Sequence, residues 1–378
     1  MTQRLDHVRA ILAERNLNAV LVTLPANRFY LSGFTAADHG PDESAGVLLV
    51  DRCDATLLTG ATNLPWAEAE AVGVSVAAAE RPWEKTVGER LRRAGWSQVG
   101  FEDSALSVAS WRGLTDAAGA DLSLVPLGDA LNQLRAVKEP AELDLLAAAL
   151  RLTDEAFVAA TASLTPGTTE RELAWRIERE MRDRGADGPA FPTIVAAGPH
   201  GARPHHSASD RPIEAGEPIV IDMGAQVGGY AGDLTRTIWV GEPTPRLRGV
   251  YNVVASAQRA ALDALRAGLT GKEADAAARD VIEAAGYGDQ FTHGLGHGLG
   301  IRVHEAPSLG KTSTDVLQAG NVVTVEPGIY LPDWGGVRIE DVGVVETDGF
   351  RVLTAAPKTQ LDAAPVPQQT MERRRSNS

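Results

Sequence analysis

The sequence predicts an α/β domain followed by a second, pseudo-symmetric α+β domain, and three observations carry this prediction. At 378 residues the chain is longer than one ordinary domain, and 44 % hydrophobic with 23 % charged residues is a composition that builds buried cores. The first third alternates helix-like and strand-like segments. Beyond residue 132 the alternation gives way to a weak internal repeat, whose copies are followed by strand-like segments that hold unusual polar residues.

The amino-terminal domain is predicted to span residues 1–132. The alternating pattern ends near Leu127, and a charged segment over residues 135–140 follows it. Pro140 has no N–H to leave unpaired in a first helical turn, so we expect a helix to begin at Ala141 in a second domain over residues 133–362. Within the first domain, apolar spacing predicts helices over residues 4–14, 83–94 and 107–118, and strands over residues 19–24, 46–50, 99–101 and 122–125.

The internal repeat has an offset of 101 residues. Each copy contains Thr-x-x-Glu, which is a capping box, and a glycine thirteen residues later that fits a helix C-cap. Each copy is therefore predicted to form one capped helix. The matching residues are Gly167, Thr169, Glu172 and Gly185 in the first copy and Gly268, Thr270, Glu273 and Gly286 in the second.

Composition and charge exclude several classes of function. Fifty acidic against thirty-six basic side chains give a net charge of −14, which disfavours nonspecific binding to nucleic acid or anionic membranes. No apolar run approaches the ~18 residues of a membrane span and no secretory signal pattern opens the sequence, so we expect a cytoplasmic protein. Cys53, the sole cysteine, is expected to be a core thiol beside a turn. Residues 363–378 lack periodicity and are predicted to be disordered.

Six of the eight histidines fall between residues 200 and 304, where isolated acids also end apolar strands. Asp222 ends the run Ile219-Val220-Ile221, and a buried acid needs a partner. Asp233 begins a second strand-like piece, and Gly228 and Gly229 provide a turn between the two. An antiparallel hairpin would bring the two carboxylates together, so that one must be protonated or a cation must lie between them.

Further ligands favour the cation. Glu326 and Glu340 also follow apolar strand-like runs, and His297 lies in a glycine-rich segment. Four carboxylates and one imidazole suit two divalent ions that clamp and activate water. This donor set favours manganese, cobalt or zinc over copper without choosing among the three, and manganese is the first we expect. His293 and His297 have the spacing of a helical metal pair, but the glycines among them indicate a loop or a bulged strand. A nucleotide-binding glycine loop and a serine-nucleophile elbow are both missing from the sequence.

These motifs resemble the pita-bread dinuclear metallopeptidase family, and within it the proline-specific branch of prolidase and aminopeptidase P. The resemblance covers roughly residues 133–360 and implies a pita-bread catalytic domain. Residues 27–34, Asn-Arg-Phe-Tyr-Leu-Ser-Gly-Phe, resemble the creatinase-type amino-terminal domain more loosely. The phrases that carry the resemblance are Ile-Asp-Met-Gly, Gly-Asp-Leu-Thr-Arg-Thr, His-Gly-Leu-Gly-His, Val-Glu-Pro-Gly-Ile-Tyr and Arg-Ile-Glu-Asp.

The resemblance implies a metal-ligand set and a proton acceptor. Asp222 would bind one metal, Asp233 and Glu340 would bridge both, and His297 and Glu326 would complete the two ligand shells. Glu326 would also accept a proton from the water that attacks the scissile carbonyl. The family usually forms dimers through its amino-terminal domain, so a homodimer is expected.

The resemblance also assigns substrate-facing residues. His304 and His205 would stabilise the tetrahedral intermediate, His293 would line the pocket for the proline ring, and Arg338 would support the metal carboxylates and the substrate. The implied substrates are Xaa-Pro dipeptides or longer peptides with proline in second position, with a slight preference for dipeptides.

Three residues and two other functions stay open at this point. Arg302 would share a face with His304 if the segment is a strand, and could bind a dipeptide carboxylate or pair with Glu305. His200 and His206 are expected to face solvent. A creatinase-like C–N hydrolase is disfavoured by the intact ligand set, and a noncatalytic binding module by the presence of every substrate histidine.

Overall fold

The computed structural model describes residues 2–38, 40 and 43–358. Its amino-terminal part is a six-stranded sheet with helices packed against it, as the α/β prediction requires. The strands lie in the order β4-β3-β2-β1-β5-β6, and only β2 runs antiparallel to its neighbours. The strands are β1 (Ala19–Val22), β2 (Val47–Asp51), β3 (Ala55–Thr59), β4 (Ser75–Ala78), β5 (Gln98–Phe101) and β6 (Ser123–Pro126). The helices are α1 (Thr2–Glu14), α2 (Pro25–Ser32), α3 (Leu64–Glu70), α4 (Trp83–Arg93), α5 (Val108–Ala118) and α6 (Ala130–Gln133).

The sequence predicted helices α1, α4 and α5 and strands β1, β2, β5 and β6 to within a few residues, because their buried positions follow the expected periods. It predicted no helix at α2 or α3 and no strand at β3 or β4. The prediction for Cys53 is wrong. Its side chain is exposed in the turn between β2 and β3, where the Asp51 carboxylate accepts hydrogen bonds from the N–H groups of Cys53 and Asp54. The short apolar run before Cys53 belongs to the strand and not to the turn.

The second part of the chain forms an α+β domain, as predicted. Its first helix begins at Pro140, where the missing N–H costs nothing. The helices are α7 (Pro140–Thr161), α8 (Glu170–Asp183), α9 (Pro245–Ala264) and α10 (Gly271–Ala284), with 3₁₀ turns at Gly198–Ala202 and Gly288–Gln290. The strands are β7 (Gly188–Pro189), β8 (Ile194–Ala197), β9 (Ile219–Met223), β10 (Ala225–Val227), β11 (Tyr230–Ala231), β12 (Leu234–Ile238), β13 (Gly296–Gly298), β14 (Glu305–Leu309), β15 (Val322–Val325), β16 (Gly328–Leu331), β17 (Gly335–Arg338), β18 (Asp341–Val345) and β19 (Phe350–Val352).

The predicted internal repeat is confirmed by the caps of α8 and α10. In each helix the threonine hydroxyl accepts from the backbone N–H three residues later, and the glutamate reaches back to the threonine N–H. Gly185 and Gly286, just past the helix ends, both have positive φ, which glycine adopts without strain.

The repeat extends beyond these helices into the sheets. The Gly167 N–H donates to the Ile213 carbonyl and the Gly268 N–H to the Leu317 carbonyl, at 2.9 and 2.8 Å. The strand that follows each contact is central in its own sheet: β9 lies between β8 and β12, and β15 lies between β13 and β18. The domain therefore has two halves of similar construction, each packed on its own hydrophobic cluster beneath α8 or α10.

The two domains meet in a buried polar network next to residue 304. Glu305 pairs with Arg135 and Lys138, and Arg135 contacts the amide of Asn27 in α2. Asn27 in turn donates to Glu102, whose carboxylate also accepts the N–H groups at the start of α2. The network therefore links the amino-terminal sheet to the second domain.

Two predictions about the limits of the domains are not tested. Residues 363–378, predicted to be disordered, lie outside the described residues. The domain boundary at residue 132 stays a prediction. Among the described helices, none is long and apolar enough to cross a membrane.

Candidate active site

A cavity of about 1260 Å³ lies where the two halves of the second domain face each other. Its mouth is bordered by Trp175 and Arg171 of α8, and Trp175 is 62 % exposed. All of the residues to which sequence analysis assigned a site role line this cavity: His205, Asp222, Asp233, His293, His297, His304, Glu326, Arg338 and Glu340.

The first half provides the two aspartates. Strands β9 and β12 pair antiparallel with Asp222 opposite Thr235, and Asp233 directly precedes β12. Between them β10 and β11 form a tight hairpin, in which Gly228 and Gly229 both have positive φ. This is the turn that the sequence predicted, and it returns the chain so that the two carboxylates meet.

The second half provides the two glutamates in the same way. Glu326 follows β15, and its N–H donates to the Leu295 carbonyl at 2.8 Å. Glu340 directly precedes β18, and its N–H donates to the Thr235 carbonyl at 3.1 Å, so this backbone hydrogen bond ties the halves together. Oxygens of Asp222, Asp233 and Glu340 all lie within 4.8 Å of one another.

His297 reaches the carboxylates from a bulged strand, as the glycines around it predicted. The register of β13 against β14 shifts between His297 and Gly298. A Cβ at Gly296 would lie 2.1 Å from the Thr324 carbonyl, so only glycine lets β13 approach β15 this closely. His297 Nδ1 donates to the Gly298 carbonyl at 3.1 Å, which leaves Nε2 facing Glu326 at 3.2 Å and Asp233 at 3.8 Å.

The carboxylates are crowded and incompletely paired. Burial, together with Glu326 and Asp222 nearby, raises the pKa of Glu340 to about 8. Burial and the neighbouring Glu340 and Asp222 raise the pKa of Asp233 well above its usual range. Asp222 Oδ1 and Glu340 Oε1 are buried without a hydrogen-bond partner. Such oxygens need protons or a cation, and the donor set of carboxylates with one imidazole fits divalent ions.

Glu326 behaves differently from its neighbours. Burial raises its pKa, but the hydrogen bond and positive charge of His297 outweigh this effect and lower the pKa to about 2. The same pair raises the pKa of His297 against the opposing effect of burial. Glu326 is therefore ionised at neutral pH, while burial favours the protonated form of Asp233 and Glu340 unless a cation takes the place of the proton.

Arg338 is held beneath the cluster by three partners. Its guanidinium donates to Asp222 at 2.6 Å, to the Thr235 hydroxyl at 2.9 Å and to the Tyr330 hydroxyl at 2.8 Å. The Tyr330 hydroxyl also lies 2.9 Å from His293 Nε2, and His293 Nδ1 donates to the Gly294 carbonyl. His293 therefore accepts from Tyr330, because burial lowers its pKa and keeps the ring neutral.

Tyr330 and Thr235 are not among the site residues predicted from the sequence. Both belong to the phrases that carry the family resemblance, and Thr235 lies two residues after Asp233, in the strand that pairs with β9. The alternation of that strand was the available signal. Nothing local marks Tyr330, whose role depends on Arg338 eight residues later.

His304 and His205 present their rings to the cavity from exposed segments. The His304 and His297 rings pack edge to face with centroids 4.3 Å apart. Burial and the neighbouring His297 lower the pKa of His304, which favours its neutral form. A neutral imidazole keeps one N–H that can donate to a developing oxyanion.

The prediction that His200 and His206 face solvent is wrong. His206 is 8 % exposed and His200 is 26 % exposed, and both contact the fully buried carboxylate of Glu170, at 3.0 and 2.9 Å. Glu170 also accepts the Ala197 N–H and both donors of Ser209. Although two imidazoles and a carboxylate can bind metal, the oxygens of this carboxylate already contact five polar groups, from Ala197, His200, His206 and Ser209. The cluster thus anchors the segment that carries His205.

Arg302 was predicted to share a face with His304 if their segment is a strand, and this segment is not a strand. Residues 301–304 form bends and not a strand, so Arg302 and His304 do not share a strand face. Glu305 forms its ion pairs with Arg135 and Lys138. From Arg302 it accepts the backbone N–H. The Arg302 side chain is exposed and lines the cavity.

Comparisons with known proteins agree with this geometry. The model of metallopeptidase family M24 matches residues 144–347, and that of the creatinase/prolidase N-terminal domain matches residues 4–137. A Xaa-Pro dipeptidase of Pyrococcus furiosus is 35 % identical over 361 residues, which are 96 % of this chain and 100 % of the relative.

Solved structures extend the likeness. The Xaa-Pro dipeptidase from Bacillus anthracis superposes with a TM-score of 0.89 at 36 % identity, covering 95 % of this chain and 98 % of that one. An X-Pro aminopeptidase from Thermotoga maritima superposes with a TM-score of 0.86 at 33 % identity, covering 94 % and 98 %. The likeness therefore spans both domains in each case.

Proposed function

The chain belongs to metallopeptidase family M24 and carries a creatinase/prolidase N-terminal domain, and we propose that it hydrolyses the bond between an amino-terminal residue and proline. The names of the relatives support this substrate class, since they are Xaa-Pro dipeptidases and an X-Pro aminopeptidase. The observation that carries the proposal is the cluster of Asp222, Asp233 and Glu340, which lines the cavity and in which two buried oxygens, Asp222 Oδ1 and Glu340 Oε1, have no hydrogen-bond partner.

We assign the metal ligands on the same basis. Asp222, Asp233, His297, Glu326 and Glu340 would hold two divalent ions, and manganese is the metal we propose for this set of hard oxygen donors and one nitrogen. When bound, such a pair supplies Lewis acidity and water activation at neutral pH. The raised pKa of Glu340 agrees with this assignment, because the cations would take the place of protons there.

The side chains around these ligands divide the remaining work. Glu326 is ionised and accepts a proton from the attacking water. His304 and His205 donate to the oxyanion that forms from the scissile carbonyl, and His293, fixed by Tyr330, borders the proline ring. Arg338 holds Asp222 in place. These groups need no N–H on the scissile nitrogen, which a bond to proline lacks.

Dipeptides are the substrate we favour. A dipeptide ends in a carboxylate directly after proline, and Arg302 presents an exposed guanidinium on the cavity wall. Arginine binds carboxylates with two parallel hydrogen bonds, which makes it a suitable anchor. A longer peptide would carry its charge elsewhere and gain nothing from Arg302.

The first experiment is a mass-spectrometric product assay on manganese-loaded protein offered Ala-Pro and Ala-Pro-Ala, with a chelated control. Release of alanine from Ala-Pro alone supports a dipeptidase, and release from the tripeptide supports an aminopeptidase. Hydrolysis that survives chelation favours a creatinase-like C–N hydrolase chemistry. Bound metal without hydrolysis of either peptide favours a noncatalytic binding module.

Two variants sharpen the assignment. Asp233→Ala should abolish turnover and lower the bound metal measured by mass spectrometry, whereas Asp280→Ala, at an exposed position of α10, should change neither. Near-normal turnover of Asp233→Ala at saturating metal would overturn the dinuclear assignment. Arg302→Met should raise KM for Ala-Pro but not for Ala-Pro-Ala, and Arg171→Met at the cavity mouth is the matched control.

We also propose a homodimer formed through the amino-terminal domain. Equilibrium sedimentation should give about twice the 39.9 kDa chain mass, and a single species at the chain mass would contradict the proposal. The preference for manganese over cobalt and zinc is tested by loading each metal in turn. The cytoplasmic location stays a prediction.

A further inference from the structure

The segment before β14 turns sharply at the boundary between the two domains. Residues 301–304 form bends, and Ile301, Arg302 and His304 line the catalytic cavity. The Gly300 N–H donates to the Arg302 carbonyl at 3.1 Å, which closes the turn. We call residues 300–305 the His304 turn. It has one face toward the cavity and one toward the interior.

Glu305 holds the inner face of this turn. Its carboxylate accepts the Arg302 N–H at 2.9 Å, so it bonds back across the turn. A Cβ at Gly300 would lie 2.5 Å from Glu305 Oε2, which shows how closely the turn wraps the carboxylate. The Glu305 side chain is 2 % exposed and does not itself line the cavity. Its position therefore sets the path of the residues that do line the cavity.

The charge of Glu305 is balanced from the segment between the domains. Arg135 Nε donates to Oε1 at 3.1 Å, and Lys138 Nζ donates to Oε2 at 3.4 Å. Both cations are buried, and burial lowers the pKa of Lys138. A buried carboxylate with two buried cations is costly to separate, because each partner would be left unpaired.

The network continues into the amino-terminal domain. Arg135 also donates to the side-chain amide oxygen of Asn27, and the Asn27 amide nitrogen donates to Glu102. Glu102 accepts the N–H groups of Thr23 and Leu24, at the end of β1 and the start of α2. The side chains of Asn27, Glu102 and Arg135 are all buried, so water does not substitute for a lost partner.

Packing supports the same connection. Ile301 packs against the hydrophobic cluster of the amino-terminal domain and also against a cluster of the catalytic domain. The His304 turn is therefore held by both domains, through an apolar contact on one side and the polar network on the other.

We propose that Glu305 is a positioning residue for His304 and that Asn27, through Arg135, makes this position depend on the amino-terminal domain. The kinetic part of this inference rests on the proposed function, while the position of His304 does not. The amino-terminal domain thereby contributes to catalysis without contacting the reacting atoms.

The deciding variant is Asn27→Ala. Asn27 lies in α2, and its substitution leaves every cavity residue unchanged. A displaced catalytic group can cost about a hundredfold in rate, so we expect kcat to fall by about tenfold to a hundredfold. KM should change by less than about threefold, because binding contacts are retained. Asn18→Ala is the matched control: Asn18 caps the N–H groups of Ser97 and Gln98 in the same domain, outside the network.

The readout that does not depend on activity is the histidine NMR spectrum of the zinc-loaded protein, because Zn²⁺ is diamagnetic whereas Mn²⁺ would broaden the resonances of nearby rings. The resonances of His304 and His205 are assigned by His304→Gln and His205→Gln. Asn27→Ala should shift the His304 resonance and leave that of His205 in place. Glu305→Gln should shift it further; if that variant does not fold, Asn27→Ala decides alone.

Two results would overturn the inference. One is an unmoved His304 resonance in Asn27→Ala. The other is an equal loss of kcat in Asn18→Ala and Asn27→Ala, which would indicate general loosening of the domain. If the wild type hydrolyses neither peptide, the proposed function fails, and the NMR comparison still tests the position of His304.

Discussion

The two halves of the catalytic domain place the same parts by different means. Each half has a capped helix, a central strand that ends near an acid, and a second acid directly before the partner strand. Each also braces a histidine-bearing segment against its helix. In the first half a lone carboxylate, Glu170, does this, and in the second half an ion pair between Asp275 and Arg279 does it.

The difference follows from the backbone groups that each segment turns toward its helix. Around His205 the segment offers donors, the N–H groups of Ala197 and Ser209, and a carboxylate accepts both. Around His293 it offers the carbonyls of Phe291 and His293, which need the donors of Arg279, and the Leu295 N–H, which the Asp275 carboxylate accepts. The two halves thus keep the same helix and strands, while the charged side chains that hold the histidine-bearing segment differ with the backbone groups that they bond.

The largest effect is expected from Arg279→Met. It leaves the buried Asp275 carboxylate without its cation, with the Leu295 N–H still donating to it, and orphans two carbonyls, so the free energy of unfolding should fall by about 3–5 kcal/mol. Denaturant unfolding of the metal-free protein measures it. The double variant Asp275→Leu with Arg279→Met should recover part of the loss, and a single-variant loss below about 1 kcal/mol would show that the pair is not a brace.

A smaller effect is expected from Glu170→Gln. The amide NH₂ would face the donors that the carboxylate accepted, so stability should fall by about 1–3 kcal/mol. Glu178→Gln, two turns later on α8, is the control and should be within about 0.5 kcal/mol of wild type. Equal losses in both variants would argue that Glu170 has no special role.

The capping threonines should contribute equally, because the two helices have the same capping box. Thr169→Ala and Thr270→Ala should each lower stability by about 1 kcal/mol. The double variant should lose the sum to within about 0.5 kcal/mol, since the sites share no partner. A clear inequality between the single variants would mean that the halves differ in more than their braces.

The smallest effect is a pH dependence shared by both caps. The backbone N–H and hydroxyl of Thr169 lower the pKa of Glu172 below 4.5, and Thr270 does the same for Glu273. A lowered folded-state pKa contributes stability above the unfolded value that is lost as pH falls through the folded one. Carboxyl NMR titration should place both groups below 4.5, and an ordinary value for either would remove that cap from the comparison.

The sequence predicted what local patterns encode. The capping boxes, the Gly228–Gly229 turn and the acids at strand ends depend on neighbours within a few residues. The burial of His206 depends on Glu170, thirty-six residues earlier, and the fixing of His293 depends on Tyr330 and Arg338 from another sheet. Such partners are set by packing, so nothing in the local sequence marks them. The roles of the site residues themselves stay predictions until tested.

Cys53 has a practical consequence for spectroscopy. As the sole thiol of the chain, and an exposed one, it offers a single attachment point for a maleimide dye or a nitroxide label. The label would stand on the β2–β3 turn of the amino-terminal domain, none of whose residues lines the cavity. In a dimer, two such labels would report the distance between subunits without any engineered cysteine.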